Sequence, residues 1–279
     1  MNRVRANQIA KFALQTRKTF LNVEASNPVC PYNLAEAMGL DVRFIDIPSF
    51  EGMYLADDGV ILIAADRPEG RKSFTCAHEI GHHVLKHGTV IDEIIESGSD
   101  KAIENEADFF ASMLLMPQSA VTRVGKAIGL DFKNPDPEKV YILSSYLGVS
   151  YKAMIVQLRF NLKLIDYSAY QTLGFKSVNS IKESLRSERG GGDVFVLGAW
   201  WREKSIDIIS GDLIRCHVPV KVEGAAISLL NGGCEGTLVQ AIEPGIAKIS
   251  AYDGWSAFVR VSRKAFAGLN QFRHEEEVE

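Results

Sequence analysis

The sequence predicts an α+β protein whose last third is rich in strands, and three observations support this prediction. Helical spacing of apolar residues dominates residues 1–186, interrupted by short strand-like runs. A glycine-rich stretch, SERGGGD, follows at 187–193 and reads as a linker. Beyond it, strand-like runs separated by turn residues occur at 194–197, 205–209, 212–222, 226–230, 237–241, 247–251 and 255–261. We therefore predict a domain at 1–130, a helical segment at 131–186, a β-rich domain at 193–270 and an acidic tail at 271–279.

The first elements follow from periodicity and turn chemistry. An amphipathic helix opens the chain, and its predicted inward residues are Ile9, Phe12, Ala13 and Phe20. A helix at 31–38, stopped by glycine, precedes a strand at 41–47. Strands at 52–55 and 60–64 flank an Asp-Gly turn, which is a strong hairpin signal.

A longer helix is predicted over residues 66–87. Asp66 and Glu69 have the spacing of a capping box, and Pro68 suits the first turn. Lys86 gives the last turn a positive charge, and Gly88 lies just beyond the predicted end.

This helix carries the motif HEIGH at residues 78–82. His78 and His82 are four residues apart, so they share one helix face and can both reach one zinc ion at about 2.0–2.1 Å. Glu79 lies roughly 100° further round, where it can reach a water on the ion without becoming a ligand. The pattern indicates metal-dependent hydrolysis of peptides. His83 and His87 are interpreted as surface or core histidines.

A third ligand is predicted on the next helix, at 103–116, which ends before a proline. Glu104 and Asp108 share a stripe with Ala111 and Leu115, on a face that is otherwise apolar. Because buried carboxylates require a cation or hydrogen bonds, we assign Glu104 as the third ligand. Asp108 is assigned to accept a hydrogen bond from the outer nitrogen of a ligand histidine.

The sequence offers two alternatives for the third ligand. Glu106 is the rival, but it points roughly 200° away from Glu104 and has no acidic partner four residues later. A histidine six residues after His82 is absent, since position 88 is glycine. The pattern therefore favours a site with two histidines and one carboxylate.

These residues resemble the ImmA/IrrE family of metallopeptidases. The likeness lies in RKSFTCAHEIGH at 71–82, ENEADFFA at 104–111 and LLMP at 114–117, together with GMY at 52–54 and VILI at 60–63. It covers roughly residues 30–165. The resemblance implies a zincin-like fold in which His78, His82 and Glu104 bind zinc, or another divalent metal such as Mn²⁺. It also implies Glu79 as the catalytic base.

The resemblance further implies an endopeptidase that cleaves a helix-turn-helix transcriptional repressor in a stress response or in the regulation of a mobile element. The alternative is a DNA- or repressor-binding regulator in which the metal is structural and nothing is cut. Zincins commonly bind substrate as a strand added to a sheet edge. We assign that role to Val60, Ile61, Leu62 and Ile63 or to the neighbouring strand, the alternative being an ordinary internal strand.

Residues 138–161 have the proportions of a helix-turn-helix. The second helix offers only Lys152 and Arg159, with Lys163 just beyond it, whereas a DNA-reading helix normally presents a basic face. The chain also has a formal net charge of −4. Structural packing is therefore favoured, with DNA or repressor docking as the alternative.

Composition bounds the class of protein and its compartment. The chain has 279 residues, of which 46% are hydrophobic and 24% charged, as in globular proteins. No apolar run approaches the roughly 20 residues of a membrane span. Four cysteines form no CxxC pair, which favours a reducing cytoplasm. The sequence does not indicate an oligomeric state.

Overall fold

A computed structural model describes residues 1–21, 26–47, 49–88, 90–91, 98–186, 191–233 and 236–275, with the side chains of 90, 91, 98–100 and 231–233 excepted. Within these residues the chain is a mixed α+β protein. The helices are α1 (Arg3–Leu21), α2 (Pro31–Ala37), α3 (Glu69–Leu85), α4 (Gly98–Leu115), α5 (Gln118–Ala127), α6 (Pro137–Tyr146), α7 (Tyr151–Val156), α8 (Tyr167–Gly174) and α9 (Val178–Arg186). A π-helical turn, Gln157–Asn161, extends α7.

The strands of the first half are β1 (Asp41–Ile45), β2 (Gly52–Leu55), β3 (Val60–Ala64) and β4 (Val90–Ile91). Those of the second half are β5 (Val194–Leu197), β6 (Lys204–Ile209), β7 (Leu213–Cys216), β8 (Val220–Glu223), β9 (Ile227–Gly233), β10 (Gly236–Ala241), β11 (Gly245–Ala251), β12 (Ser256–Ser262) and β13 (Gly268–Leu269).

The N-terminal sheet has the order β13-β1-β3-β2-β4 within the described residues. Strands β2 and β3 form the predicted antiparallel hairpin, and β3 pairs in parallel with β1. The alternating burial of β3 turns Ile61 and Ile63 into the core beneath α3. Helix α3 therefore lies on a sheet whose central strand is fully apolar.

The strand-rich region forms two sheets, with the orders β5-β7-β10-β9 and β6-β12-β11-β8. The predicted strand at 212–222 is divided in two: β7 pairs with β10, whereas β8 pairs with β11 in the other sheet. Turn residues between Cys216 and Val220 let the chain change sheets. The sequence thus predicted where the strands of this region lie, but not which of the two sheets each strand joins.

Helix α3 begins later than predicted, and the predicted capping box is wrong. Pro68 is the N-cap residue, and no side chain caps the helix. Asp66 instead pairs with Arg67, and Glu69 accepts a hydrogen bond from the Tyr32 hydroxyl at 2.8 Å. A carboxylate in the first turn remains favourable for the helix dipole.

The inward face of α1 differs from the prediction. Ile9 and Ala13 are buried, but Phe12 and Phe20 are exposed. The buried face includes Arg17, whose guanidinium donates to the carbonyl of Leu114 at the end of α4. Burial lowers the pKa of Arg17 to about 10. A basic residue thus donates a hydrogen bond to a carbonyl at the end of a neighbouring helix. Helical periodicity alone could not indicate this contact.

The end of the chain returns to the N-terminal half, and the predicted solvated tail at 271–279 needs correction at Arg273, whereas Gln271, Phe272 and Glu275 are exposed. Strand β13 pairs with β1, and a 3₁₀ turn follows at Asn270–Phe272. Arg273 is buried, and residues 276–279 lie outside the described residues. The buried apolar side chains from Ile9 to Val261 form one continuous cluster across the predicted boundaries of the β-rich domain.

The helix-turn-helix-like pair is packed into this cluster. In α7 and the π-helical turn, Met154, Ile155 and Leu158 are buried. The turn before α7 also touches α3, because a β-carbon at Gly70 would lie 2.8 Å from the backbone nitrogen of Ser150. The burial agrees with the packing interpretation. Among the described residues, no helix combines the length and apolarity that crossing a membrane requires.

Candidate metal centre

Helices α3 and α4 come close enough for a side chain of one to meet two side chains of the other. Gly81 provides the close approach, since its missing β-carbon would lie 3.2 Å from the Cα of Ala107. His78 and His82 are one turn apart on α3 and flank this point. Glu104, one turn before Ala107 on α4, therefore reaches both imidazoles.

The three predicted ligand side chains converge. His78 Nε2 lies 3.0 Å from Glu104 Oε2 and 2.9 Å from His82 Nε2. His82 Nε2 lies 3.4 Å from Glu104 Oε1. Each residue offers one ligand atom, and these atoms all lie within 4.8 Å of one another. Within the described part of the chain, this is the group of three whose geometry could hold a metal ion.

The donor set suits a divalent ion. Four ligand atoms about 2.0–2.1 Å from a tetrahedral zinc are roughly 3.3–3.4 Å apart, close to the spacings seen here. Glu104 Oε1 is buried and accepts no hydrogen bond from the described residues. Two nitrogens face each other with a carboxylate beside them, an arrangement that a cation stabilises. The ligand count also leaves a fourth position for water or substrate.

The outer nitrogens of the two histidines have different partners. His78 Nδ1 lies 2.9 Å from Asp108 Oδ1, the contact predicted from the sequence. Asp108 is not on a buried face, however, because its side chain is 61% exposed. His82 is fully buried, and its Nδ1 lies 3.1 Å from His87 Nδ1.

The electrostatics of the centre follow from this packing. Burial alone would lower the pKa of His78, but hydrogen bonds to Asp108 and Glu104 outweigh burial and raise it to about 10. Burial would raise the pKa of Glu104, but the imidazoles of His78 and His82 beside the carboxylate outweigh burial and lower it to about 2. Glu104 is therefore ionised at neutral pH. A cation binding at His78 Nε2 would compete with a proton there.

Glu79 lies beside the ligands and against strand β2. Glu79 as a whole is only 1% exposed. Gly52 opens β2, and a β-carbon there would stand 2.8 Å from Glu79 Oε1 and 2.3 Å from Thr75 Cγ2. Only glycine lets the strand lie so close to the helix at this carboxylate.

The rival ligand Glu106 faces away from the histidine pair. Its two oxygens meet Arg5 of α1 at 2.8 and 2.5 Å. Its Oε2 also lies 3.5 Å from His87 Nε2. The sequence prediction that separated Glu104 from Glu106 by helical angle agrees with this geometry.

The substrate role assigned to Val60, Ile61, Leu62 and Ile63 needs correction. Strand β3 pairs with β1 on one side and with β2 on the other over its whole length. Its backbone groups are therefore already used, and an added strand has no edge there. The neighbouring β2 is paired with β4 at Met53 and Tyr54.

Two contacts around the centre were not predicted. The hydroxyl of Tyr54 lies 2.6 Å from His83 Nδ1, which fastens β2 to α3. The contact of His87 with His82 was missed because the helix was predicted to continue through residue 87. The clustering of four of the six histidines was the available signal.

Comparison with known proteins places this geometry in context. Residues 35–159 match the Peptidase_M78 family model, described as an IrrE N-terminal-like domain. Over 102 residues the chain is 30% identical to the radiation response metalloprotease IrrE of Deinococcus radiodurans. That alignment covers 34% of this chain and 31% of the relative, so the chain spans about a third of that protein's length.

Two solved structures show distant similarity to parts of the chain. A transcriptional regulator of Mycobacterium tuberculosis is 16% identical, with a TM-score of 0.37, over 57% of this chain and 60% of that one. The cysteine protease inhibitor EhICP2 of Entamoeba histolytica is 11% identical, with a TM-score of 0.20, over 26% of this chain and 99% of that one. At these TM-scores neither structure bears on the fold or on the function.

Proposed function

Through residues 35–159 this chain belongs to the ImmA/IrrE family of metallopeptidases, and from that premise we propose that it is a zinc-dependent endopeptidase. One observation carries the proposal. The Nε2 atoms of His78 and His82 and the carboxylate of Glu104 converge within 4.8 Å, with the buried Glu79 on the same helix. We assign the first three as ligands and Glu79 as general base.

The chemistry is divided between the ion and the chain. When bound, zinc would lower the pKa of a water in its fourth position and polarise the scissile carbonyl. Glu79 would accept a proton from the attacking water and deliver it to the leaving nitrogen. Its burial against Gly52 holds the carboxylate in one orientation, so reorienting it would add little to the activation barrier. Asp108 would hold His78 with its proton on Nδ1 and its Nε2 free to bind.

The substrate proposed is a helix-turn-helix transcriptional repressor, cut so that repression is relieved. This rests on the family resemblance of residues 71–82 and 104–117. The proposed compartment is the cytoplasm, because the described cysteines Cys30, Cys76 and Cys216 are free thiols.

The test compares wild type with Glu79→Gln, each purified in parallel and loaded with one equivalent of zinc. Glu79→Gln should bind zinc like wild type and lose cleavage of repressors encoded next to this gene. Glu183→Gln, an exposed glutamate of α9, is the matched control and should cut at the wild-type rate. A chelator should stop cleavage, and added zinc should restore it.

Two results would count against the enzyme. Cleavage by metal-loaded Glu79→Gln at the wild-type rate would show that Glu79 is not the base. Release of a repressor from its operator, without any cut and equally by both proteins, would favour the alternative of a binding regulator with a structural metal.

A further inference from the structure

The two histidines of the proposed metal site are supported from outside in different ways. His78 Nδ1 reaches a carboxylate directly, at Asp108. His82 Nδ1 instead reaches a second imidazole, that of His87, at 3.1 Å. The hydrogen bond that orients the His82 ring at Nδ1 is therefore made with His87.

The route of the chain at the end of α3 creates this contact. Lys86 adopts a left-handed conformation with φ of 60°. The amide of His87 donates to the carbonyl of His82 at 3.0 Å, and the amide of Lys86 donates to that of His83 at 3.3 Å. These two bonds define a Schellman motif. In a continuing helix, residue 87 would lie roughly 140° from residue 82 around the axis, so the motif is what turns the His87 ring onto His82.

Hydrogen-bond accounting then fixes the tautomers. A neutral imidazole has one N–H donor and one acceptor nitrogen. Because His82 Nε2 faces the other ligand atoms, the proton of His82 belongs on Nδ1, from which it can only be donated to His87 Nδ1. The proton of His87 must then be on Nε2, which faces Glu106 Oε2 at 3.5 Å.

Arg5 fixes Glu106, the last carboxylate in this series of contacts. Arg5 of α1 binds both oxygens of Glu106, so this carboxylate is held as an anion and keeps its orientation. The side chain of His87 is only 7% exposed, and that of Glu106 is 19% exposed. His82, His87 and Glu106 are therefore largely shielded from water, which strengthens the hydrogen bond between His82 and His87. The Arg5 side chain, at the outer end of the series, is 35% exposed.

We infer that His87 is a positioning residue for the metal ligand His82, with Glu106 and Arg5 holding the tautomer of His87. The inference rests on the proposed function, because it takes His82 as a ligand. His87 is not among the assigned ligands. It sets the orientation and basicity of the His82 imidazole, and partners of this kind commonly contribute 10–100-fold to metal affinity.

The experiment measures zinc affinity of the full chain by competition with a chromophoric chelator, and the visible spectrum of the Co²⁺-loaded protein. His87→Phe, which keeps the ring and loses both nitrogens, should weaken zinc binding by roughly 10–100-fold and shift the Co²⁺ bands. His87→Gln can accept from His82 and donate to Glu106, so it should recover most of the affinity. His83→Phe is the matched control, since His83 contacts Tyr54 and should leave the affinity within about twofold of wild type.

Glu106→Gln extends the test to a variant of unchanged size and should weaken zinc binding less than His87→Phe does. If His87→Phe does not fold, as judged by circular dichroism, Glu106→Gln decides the matter. Wild-type zinc affinity and Co²⁺ spectra in folded His87→Phe, or in Glu106→Gln where His87→Phe does not fold, would overturn the inference and leave the proposed function standing. Failure of wild type itself to bind zinc would overturn both.

Discussion

Gly81 of α3 lies directly against Ala107 of α4, where a β-carbon at position 81 would stand 3.2 Å from the Ala107 Cα and 3.3 Å from its carbonyl oxygen. The two helices therefore meet through backbone at the level of the histidine pair. Any widening of this contact carries Glu104 away from His78 and His82. Because Gly81 has no side chain, Glu104 can lie close to His78 and His82 in the proposed metal site.

Gly81→Ala should weaken zinc binding with little loss of stability. The added methyl crowds α4, which overpacking data put at about 1–3 kcal/mol, while alanine favours the helix by about 1 kcal/mol. We expect zinc affinity to fall roughly tenfold and Tm to fall by only about 2–4 °C. Gly174→Ala in α8 is the control, since its β-carbon would meet nothing nearer than 4.0 Å. Unchanged zinc affinity in Gly81→Ala would show that α4 yields without moving Glu104.

Gly52→Ala should damage turnover and spare metal binding. The new methyl would lie 2.3 Å from Thr75 Cγ2 and 2.8 Å from Glu79 Oε1, so either β2 or the carboxylate must move. Misplacement of a catalytic group by about 1 Å can cost roughly 100-fold in rate. We expect a fall in kcat of that order in a peptide-cleavage assay, at wild-type zinc content.

A second variant checks the cause of that loss. Gly52→Ala combined with Thr75→Ser removes the Cγ2 methyl and should restore part of the lost rate. If kcat in the single variant equals that of wild type, the strand accommodates the methyl without disturbing Glu79.

Arg273→Met should destabilise the whole chain, because Arg273 joins its two halves. Its guanidinium lies 3.0 Å from Asp207 of β6 and 4.5 Å above the ring of Tyr32 in α2. Removing one partner of a buried pair costs on the order of 3 kcal/mol. We expect a lower Tm by calorimetry. Arg202→Met, which loses an exposed pair with Asp253 at 3.9 Å, should change stability by less than about 1 kcal/mol.

Stability should fall as pH rises from about 4 to 7 in a way that depends on Asp212. Burial raises the pKa of Asp212 to about 6, although backbone amides of Ile209 and Asp193 donate to it. Since the unfolded value is about 3.9, the folded state holds the extra proton between these pH values. The stabilisation from this proton is fully present below about pH 4 and is lost as the pH rises through about 6. The total loss is about 3 kcal/mol.

The measurement is Tm against pH for wild type and Asp212→Asn. The altered hydrogen bonds of the variant lower its free energy of unfolding by an amount that does not depend on pH. Its Tm relative to wild type should nevertheless rise between pH 4 and 7. Parallel curves over this range would refute the assignment, because the remaining carboxylates are common to both proteins.

Local patterns predicted most of the helices and strands and the convergence of His78, His82 and Glu104. The Asp-Gly turn correctly predicted the hairpin of β2 and β3. Helical angle placed His78 with His82, and Glu104 rather than Glu106 toward them, because side chains four residues apart share a face whatever surrounds the helix. The run at Val60–Ala64 predicted a strand but not its neighbours, and the pairing with β1 and β2 removed its expected role at an edge.

The sequence by itself determined the chemistry of the site: two imidazoles and a carboxylate at helical spacing, with a second carboxylate beside the first histidine. The tertiary structure decided how those groups are held. Gly81 sets the distance between α3 and α4, Lys86 turns His87 onto His82, and Arg273 fastens the end of the chain to Tyr32 in the first half. Such contacts join residues distant in sequence or depend on a single backbone angle. No local period encodes them, because they arise only when helices and strands pack against one another.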